Sequence, residues 1–515
     1  MRHNVHRIVV LTTCITFSIF ISPSIFAQGY VQVGSGASTS SVDLTMENPN
    51  ETLTFGGASG VGDAATAYCY TYNDMLDMPE DYDWYGDINM NSSGIFNVTG
   101  AGTLHLFGNT ITGGTGVEFV KDGGARIDAS TSNSNFTGSL TIREGSFAAS
   151  SNFGSKVLTM GNNAIFEIWN MSESYEQIQG GGRILTSSGG SLTIGSNTQS
   201  SSYSGIIEGG GSFTKIGSED LGLGGLNQNF TGSISVQGGE LEVLGHNFGN
   251  SLLDISSGAT FSMHDTTQSY EQIQGAGTIL IGSASRYDWN WSEEHPNSGN
   301  GNASLTVGSN TLSSTFSGRI EGDGTFTKTG SEDLDLTGTA SHNFTGTVNV
   351  NDGILSVSGN NFGNKLLNVG SGAMFDMYDT TQTFQQIQGD GTVAMGDASL
   401  TIGSNTIASN FDGVFSGGTL TKTGTASFTL GDGGSIFVEQ FNVNQGEFVM
   451  QGNTSLSAWD GVSAYVPGMT VASGASMRLS PTVSGSPYIT DTLIDVQGKL
   501  ILEMQDYPTD RKSVV

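Results

Sequence analysis

Two stretches of the 515-residue sequence hold residue types that could bind a ligand. The first, residues 67–90 (AYCYTYNDMLDMPEDYDWYGDINM), mixes carboxylates with aromatic rings. Carboxylates bind Ca²⁺, and aromatic rings stack on apolar surfaces such as sugar rings. Its spacing fits neither the EF-hand loop nor the Gly-rich calcium repeat, so we favour a cap over the open N-terminal end of the fold. The candidates are two aromatic contacts and four weaker Ca²⁺ ligands: Tyr82 and Trp84, with Asp74, Asp77, Asp81 and Asp83. No other cofactor is predicted.

The second stretch runs from Ser283 to Ala303 and interrupts an otherwise repetitive region. Surface tryptophans are costly unless they contact a partner or pack on the protein, and aromatic residues are enriched at binding hot spots. We therefore predict that this loop contacts a glycan or a protein on a host or bacterial surface. The alternative is that it packs back on the protein's own wall. The candidate contacts are Tyr287, Trp289, Trp291, Glu293, Glu294 and His295.

Catalytic motifs are missing from the sequence: it contains no GxSxG, no HExxH and no Cys/His pairing with metal-ligand spacing. Polysaccharide lyases and hydrolases need carboxylates clustered with a basic residue. His105, His246, His264 and His342 are scattered, and nothing distinguishes His246 or His342 from surface turn residues. We predict no catalytic residue. A secreted polysaccharide lyase or hydrolase is the alternative.

The composition predicts many short strands joined by tight turns. Glycine supplies 76 residues and proline 8, while 36% of the chain is hydrophobic and lies in short clusters. That is the composition of an all-β protein, and it is too apolar for a disordered chain. The net charge is −31, and −33 without Arg2 and Arg7. Nucleic acids and anionic membrane surfaces reward basic patches, so neither is a predicted partner.

Residues 1–27 have the pattern of an export signal: Arg2 and Arg7, an apolar run from Ile8 to Ile21, and a small residue, Ala27, before the predicted cleavage site. The run is shorter than the roughly 20 residues of a membrane span, which argues against a retained anchor. A lipoprotein attached through Cys14 is a weaker alternative. Cleavage would leave Cys69 alone, so the exported chain could not form an internal disulfide.

Internal repeats predict the fold. One phrase occurs three times, as YEQIQG at Tyr175 and Tyr270 and as FQQIQG at Phe384. A second phrase, GSNT, also occurs three times, shortly after Thr193, Thr306 and Thr401. The underlying unit is about 95 residues long, and the 283–303 insertion of about 19 residues lengthens one copy. Each unit contains about a dozen short strands. At three strands per turn they predict about four coils of some 24 residues, and so a right-handed parallel β-helix, an elongated rod. A sandwich or barrel is the alternative.

Two segments of the repeat resemble a pattern found in a known protein family. They are residues 211–243 (GSFTKIGSEDLGLGGLNQNFTGSISVQGGELEV) and 324–357 (GTFTKTGSEDLDLTGTASHNFTGTVNVNDGILSV). They resemble the passenger-associated strand repeat of autotransporter passengers, with Lys121, Lys215, Lys328 and Lys422 at one place in four copies. The Glu-Asp pairs after Ser218 and Ser331 replace the usual Gly-Thr. The resemblance implies a non-enzymatic passenger that acts as an adhesin, aggregation factor or stalk. It also implies export through the periplasm and a C-terminal outer-membrane barrel as partner, with the mature passenger outside the membrane.

We divide the chain accordingly. Residues 28–99 form the N-terminal cap region, 100–455 the repetitive β-helix, and 456–509 further rungs near a junction to the missing barrel. The last six residues, 510–515 (DRKSVV), back-translate to a sequencing-adapter stretch, so we expect them to be an artefact and the gene to continue. Asn135, Asn229 and Asn343 of the NFTG phrases are either exposed turn residues or members of a stacked amide ladder.

Overall fold

The structure is a computed structural model. The structure describes the backbone of strands between residues 8 and 84, the side chain of Trp84, and residues 87–503 apart from 92, 101, 107–109, 131–132, 150–152, 226, 283–301, 458–467, 483–484 and 491–492. The chain divides into two compact units, Met1–Ser251 and Leu252–Val515. Both are β-solenoids, with about 17 turns in all, which confirms the predicted all-β parallel β-helix.

The first unit consists of short strands joined by turns. Their bounds are β1 Ile8–Thr12, β2 Ile15–Ile19, β3 Tyr30–Val33, β4 Ser41–Asp43, β5 Thr52–Phe55, β6 Ala65–Asn73, β7 Met78–Pro79, β8 Tyr82–Trp84, β9 Ile88–Met90, β10 Gly94–Gly100, β11 Thr103–Leu106, β12 Thr110–Gly113, β13 Glu118–Asp122, β14 Arg126–Asp128, β15 Asn133–Phe136, β16 Ser139–Ala148, β17 Val157–Ile168, β18 Ser172–Tyr175, β19 Gln177–Gly180, β20 Arg183–Thr186, β21 Ser191–Ile194, β22 Ser201–Tyr203, β23 Ile206–Gly209, β24 Ser212–Lys215, β25 Leu221–Leu223, β26 Asn227–Phe230, β27 Ser233–Val236, β28 Glu240–Val243 and β29 His246–Phe248.

The second unit repeats this pattern. Its strands are β30 Leu252–Ile255, β31 Thr260–Met263, β32 Thr267–Tyr270, β33 Gln272–Gly275, β34 Thr278–Ile281, β35 Ser304–Val307, β36 Ser314–Phe316, β37 Arg319–Gly322, β38 Thr325–Lys328, β39 Leu334–Leu336, β40 Thr347–Val350, β41 Ile354–Val357, β42 Leu366–Val369, β43 Met374–Asp376, β44 Gln382–Phe384, β45 Gln386–Gly389, β46 Thr392–Ala394, β47 Ser399–Ile402, β48 Ser409–Phe411, β49 Val414–Ser416, β50 Thr419–Lys422, β51 Phe428–Leu430, β52 Ser435–Phe437, β53 Gln440–Val443, β54 Glu447–Gln451, β55 Ser455–Ser457, β56 Gly468–Val471, β57 Ser476–Ser480, β58 Tyr488–Thr490, β59 Leu493–Val496 and β60 Lys499–Leu502.

Each strand pairs in parallel with the strand one coil further along the chain. In the first unit one such stack is β18, β21, β24 and β27, and a second runs through β8, β11 and β14 to β29. Parallel pairing already joins β3 to β5 and β5 to β9 within residues 28–99, so coils begin inside the region that we interpreted as a cap. β1–β2 and β6–β7 pair antiparallel.

Alternation of inward and outward side chains builds a continuous core. Leu192, Phe213 and Ile234 are in register on successive coils and are at most 1% exposed, whereas the residues between the inward positions are only partly buried. Burial of an aliphatic or aromatic side chain contributes roughly 1.5–3 kcal/mol. The inward column therefore stabilises every coil through its two neighbours, as in other solenoids.

Three phenylalanines of each repeat form one packed triad. Phe153 of the first NFG phrase lies 5.0 Å from Phe119 and 5.5 Å from Phe136. In the second copy Phe248 lies 5.2 Å from Phe213 and 5.4 Å from Phe230, and in the third Phe362 lies 5.4 Å from Phe326 and 5.5 Å from Phe344. The recurrence of the NFTG and NFG phrases is thus explained by packing in the core.

Most coils are shorter than the sequence predicted, although some match it, as where Leu104 pairs with Ile127, 23 residues on. Leu192 pairs with Phe213 and Leu400 with Leu420, about 20 residues on, where we expected some 24. A repeat of about 95 residues is therefore not a whole number of coils. Copies of one motif consequently lie on different sheets of the same unit: Lys121 is in the sheet of β10 and β13, and Lys215 in the sheet of β21 and β24.

This offset also rules out the amide ladder. Asn135 lies in β15 and Asn229 in β26, which belong to different sheets, and both are exposed, as is Asn343 in the second unit. Asn135 and Asn229 are exposed strand residues, which corrects their interpretation as turn residues, and Asn343 is exposed outside any strand.

Close contact between coils makes the glycine of each GSNT phrase irreplaceable. A Cβ on Gly195 would lie 1.8 Å from the carbonyl oxygen of Ile216 on the next coil, and its φ is +155°. Gly195→Ala should therefore lower the local free energy of unfolding by about 2–4 kcal/mol. Hydrogen exchange of the Ile216 amide, which bonds to Ile194 in the native structure, measures the loss.

Gly116→Ala is the control, because an added Cβ there meets no atom within 4 Å. It should leave exchange unchanged. Equal effects of the two substitutions would contradict the steric explanation.

Candidate functional site

The predicted contact loop leaves the solenoid at one turn. It joins β34 to β35, where the corresponding turn between β46 and β47 has four residues. A Cβ on Gly282 would lie 3.5 Å from that of Ala303, so the two ends of the insertion meet. β34 still pairs with β37, and β35 with β32 and β38. The insertion is accommodated without any change of strand register.

Most candidate contacts themselves lie outside the described residues. These are Tyr287, Trp289, Trp291, Glu293, Glu294 and His295 of the loop, and Asp74, Asp77 and Asp81 of the acidic segment. The side chains of Tyr82 and Asp83 are also outside them, although both residues are in β8.

Trp84 is the exception among these candidates. Its side chain is 4% exposed and it is in register with Leu106, which is also buried. The indole therefore belongs to the core and is not available as a surface contact, a correction to the prediction. Strand alternation in β8 could have indicated this, but the surrounding tyrosines and acids obscured it.

Each of the four recurrent lysines is the centre of a buried hydrogen-bonded arrangement that we call the lysine corner. It consists of the lysine, the backbone carbonyls of the next two residues, and one backbone carbonyl of the next coil. Lys215 is 1% exposed, and its stem lies in register with Ile194 and Val236 of the core column. Its Nζ donates to the carbonyls of Ile216 (2.8 Å), Gly217 (3.1 Å) and Gly238 (2.9 Å).

The other three copies repeat this geometry. Lys328 Nζ donates to the carbonyls of Thr329, Gly330 and Asp352 at 2.7–3.0 Å, and Lys422 Nζ to those of Thr423, Gly424 and Gln445 at 2.6–3.1 Å. Lys121 bonds to Asp122, Gly123 and Glu144. Three charge-assisted hydrogen bonds satisfy all three ammonium protons. The lysines thus join neighbouring coils where the chain turns.

Burial opposes the charge on these lysines. Desolvation lowers the pKa of Lys121, Lys215 and Lys422 from 10.5 to about 8, and lowers the pKa of Lys328 as well. A pKa of about 8 leaves Lys121, Lys215 and Lys422 mostly protonated at neutral pH, as their three bonds require. A pKa shift of this kind can mark a functional site, but here it marks a structural one.

Lys215→Met should keep the apolar stem and leave three carbonyls without the ammonium. We expect the hydrogen-exchange protection of residues 212–243 to fall by the equivalent of about 2–4 kcal/mol. Lys156→Met is the matched control, because Lys156 pairs with Glu176 at the surface. It should change protection by less than about 1 kcal/mol. A negligible effect of Lys215→Met would show that the corner is not structural.

Two histidines that the sequence did not distinguish differ in the structure. His246 is exposed, but His342 is fully buried, which corrects our interpretation of it as a surface residue. Its Nδ1 accepts a hydrogen bond from the Ile320 amide at 3.2 Å, and its ring lies 5.2 Å from that of Phe362. Desolvation, helped by Arg319, lowers the pKa of His342 from 6.5 to about 4.

This pKa makes the second unit sensitive to mild acid. Between pH 6.5 and 4 the unfolded chain binds a proton at His342 that the folded chain does not, so stability is lost as the pH falls. At pH 4.5 the loss should be about 2 kcal/mol. Urea unfolding of the full chain and of His342→Gln, compared at pH 7 and 4.5, tests this. His342→Gln introduces glutamine, the residue at the equivalent position 228 of the second repeat. Between pH 7 and 4.5 it should lose less stability than the unchanged chain loses. An identical pH response in both proteins would contradict the assignment.

His105 belongs to a charged cluster that the sequence did not reveal. On the outer side of the sheet formed by β11, β14, β16 and β17, His105 and Asp128 are in register on adjacent coils. Asp128 Oδ2 lies 3.9 Å from His105 Nδ1 and 3.7 Å from Arg126 Nη2, and Arg126 also pairs with Glu167 two coils further on. Residues 23 and 41 positions apart meet here because the coils stack, a spacing that no local motif shows.

Exposed aromatic residues follow strands of both units. Trp169 after β17 is 53% exposed and Tyr378 after β43 is 62% exposed, at corresponding places of the first and third repeats. His264, at the same place in the second repeat, is 8% exposed. Within the described residues, no group of three or more His, Cys, Asp and Glu side chains is arranged to hold a metal ion.

The comparisons with known proteins agree with this architecture. The chain is 30% identical over 158 residues to the adhesin BmaC autotransporter of Brucella suis biovar 1 (strain 1330), covering 29% of this chain and 4% of that protein. It is 33% identical over 183 residues to the probable autotransporter YfaL of Escherichia coli (strain K12), covering 33% of this chain and 14% of that protein. No protein-family model and no solved structure matches the chain.

The solenoid and the two similarities fit an autotransporter passenger domain. Such relatives imply secretion to the cell surface or outer membrane. No helix among the described residues is long and apolar enough to cross a membrane. The lysine corners and phenylalanine triads account for the repeat that first suggested the resemblance.

Proposed function

We propose that the chain is a non-enzymatic, adhesin-type passenger, whose solenoid presents irregular segments to a glycan or protein on a host or bacterial surface. The observation that carries the proposal is the insertion between β34 and β35, which adds about 19 residues rich in tryptophan and carboxylate while every neighbouring strand keeps its partner. Because the insertion leaves the surrounding strand pairs unchanged, its sequence can vary for binding without disturbing the solenoid.

The similarity to an adhesin and to a probable autotransporter supports the same proposal. By that analogy the chain is carried to the surface by an outer-membrane barrel that follows it, and it acts there as adhesin, aggregation factor or stalk. The acidic segment 67–90 is a second proposed contact region, with Ca²⁺ as its proposed cofactor.

The charged cluster is not arranged as an acid–base pair for sugar cleavage. Asp128 and Glu167 both approach the same guanidinium, that of Arg126. The pKa of Asp128 is lowered by its hydrogen bonds with Ser130 and by Arg126, against the opposing effect of burial. A general acid for sugar cleavage needs a raised pKa instead.

Replacing residues 282–303 by Gly396–Ala398 tests the role of the loop. Thr278–Ile281 aligns in sequence with Thr392–Met395, so this replacement restores the turn between the equivalent strands β46 and β47 without an extra residue. The full chain and the variant would be compared on a glycan array and on matrix proteins, with and without Ca²⁺. We expect unchanged hydrogen exchange in β34 and β35 and at least tenfold weaker binding.

Two results would contradict the proposal. Unchanged binding by the variant would exclude the loop as the contact. Release of reducing sugar or unsaturated uronate from polysaccharides in the same wells would instead establish the lyase or hydrolase alternative.

A further inference from the structure

We propose that Trp169, with Glu167, Arg126 and Asp128, forms a binding site for a neutral hexopyranose unit of a glycan. The proposal rests on the proposed adhesin function, since it names a ligand class and a site for it. The site lies in the first unit, whereas the inserted loop belongs to the sequence of the second.

The ring of Trp169 is exposed but held in place. Its Nε1 donates to Glu167 Oε2 at 2.8 Å, and the other oxygen of Glu167 pairs with Arg126. The next residue, Asn170, has φ of +53°, and its amide donates to Ser187 Oγ at 2.8 Å, so the turn that carries the indole is fixed. The single polar atom of the indole is satisfied, and half of the side chain still faces solvent.

The polar groups beside the ring lie on one outward surface. His105, Asp128, Ala148 and Glu167 occupy one register column on consecutive coils. Ala148 is small and fully buried, and the ion pair between Arg126 and Glu167 joins the coils on either side of it. The result is an aromatic platform bordered by two carboxylates and a guanidinium, all preorganised by contacts with one another.

This combination suits a sugar ring. An aromatic face packs against the apolar C–H face of a pyranose, while hydroxyl groups donate to carboxylates and accept from guanidinium N–H groups. Ligand sites in general join an apolar surface to a few oriented polar groups. A platform already fixed before binding loses little conformational entropy when a ligand arrives.

The charge of the site selects among sugars. Two carboxylates and one guanidinium leave a net negative charge, and the whole chain carries −31. Asp128 is ionised at neutral pH because its pKa lies below the ordinary value. Sialic and uronic acids would be repelled, whereas neutral hexoses and hexosamines would not.

The test uses the full chain on an array that carries neutral, amino, sialylated and uronate glycans, followed by calorimetric titration with the neutral oligosaccharide bound best. Trp169→Ala should weaken binding at least tenfold, Trp169→Phe should recover most of the affinity, and Arg126→Gln should weaken binding about tenfold. Phe437→Ala removes an aromatic side chain that is 44% exposed elsewhere and should have no effect. Hydrogen exchange of β17 and β20 verifies the fold of each variant.

The outcomes separate this proposal from the proposed function. Glycan binding that survives Trp169→Ala, or that is confined to acidic glycans, would overturn the site while leaving the adhesin function intact. Binding to matrix proteins without glycan binding would do the same. Absence of binding to any glycan or matrix protein would overturn both.

Discussion

The structure depends on one constraint: each coil must satisfy its backbone through the coils directly before and after it. Parallel strands meet this requirement along the flat faces, because every amide and carbonyl there finds a partner one coil away. The turns are harder, since the chain changes direction and the regular ladder is interrupted. The lysine corners and the glycines of the GSNT phrases both occur at such turns. The lysines supply hydrogen-bond donors to backbone carbonyls. The glycines allow two backbones to approach more closely than a side chain would permit.

The sequence was sufficient to predict the solenoid, because stacked parallel coils require strands, turns and similar sequence phrases to recur at regular intervals along the chain. It also indicated that the four lysines are equivalent. It could not show that they are buried, because a lysine is normally a surface residue and its three acceptors are main-chain carbonyls, one of them 23 or 24 positions away. The burial of His342 was missed for a similar reason: its NFTG-flanking phrase looks like a turn.

The candidate site was harder to predict than the fold. Arg126, Asp128 and Glu167 are unremarkable in sequence. Arg126 and Asp128 lie in one strand, but Glu167 joins them only because the two intervening coils are 20 and 19 residues long rather than the 24 that we expected. A small error in coil length displaces every outward neighbour, although it leaves the inward and outward alternation intact. Core residues are therefore predictable from period-two patterns, while surface clusters require the true register.

The fractional number of coils in a repeat has a consequence for how such a chain can evolve. Because each coil recognises only its neighbours, recombination that inserts or removes one repeat within a unit would restore strand pairing and core packing. Every loop beyond the exchange would nevertheless point in a new direction. The equivalent lysines Lys328 and Lys422 show such a change, because they lie on different sheets of the second unit. A single genetic event could thus present an old binding loop to a different surface without changing any residue of the loop itself.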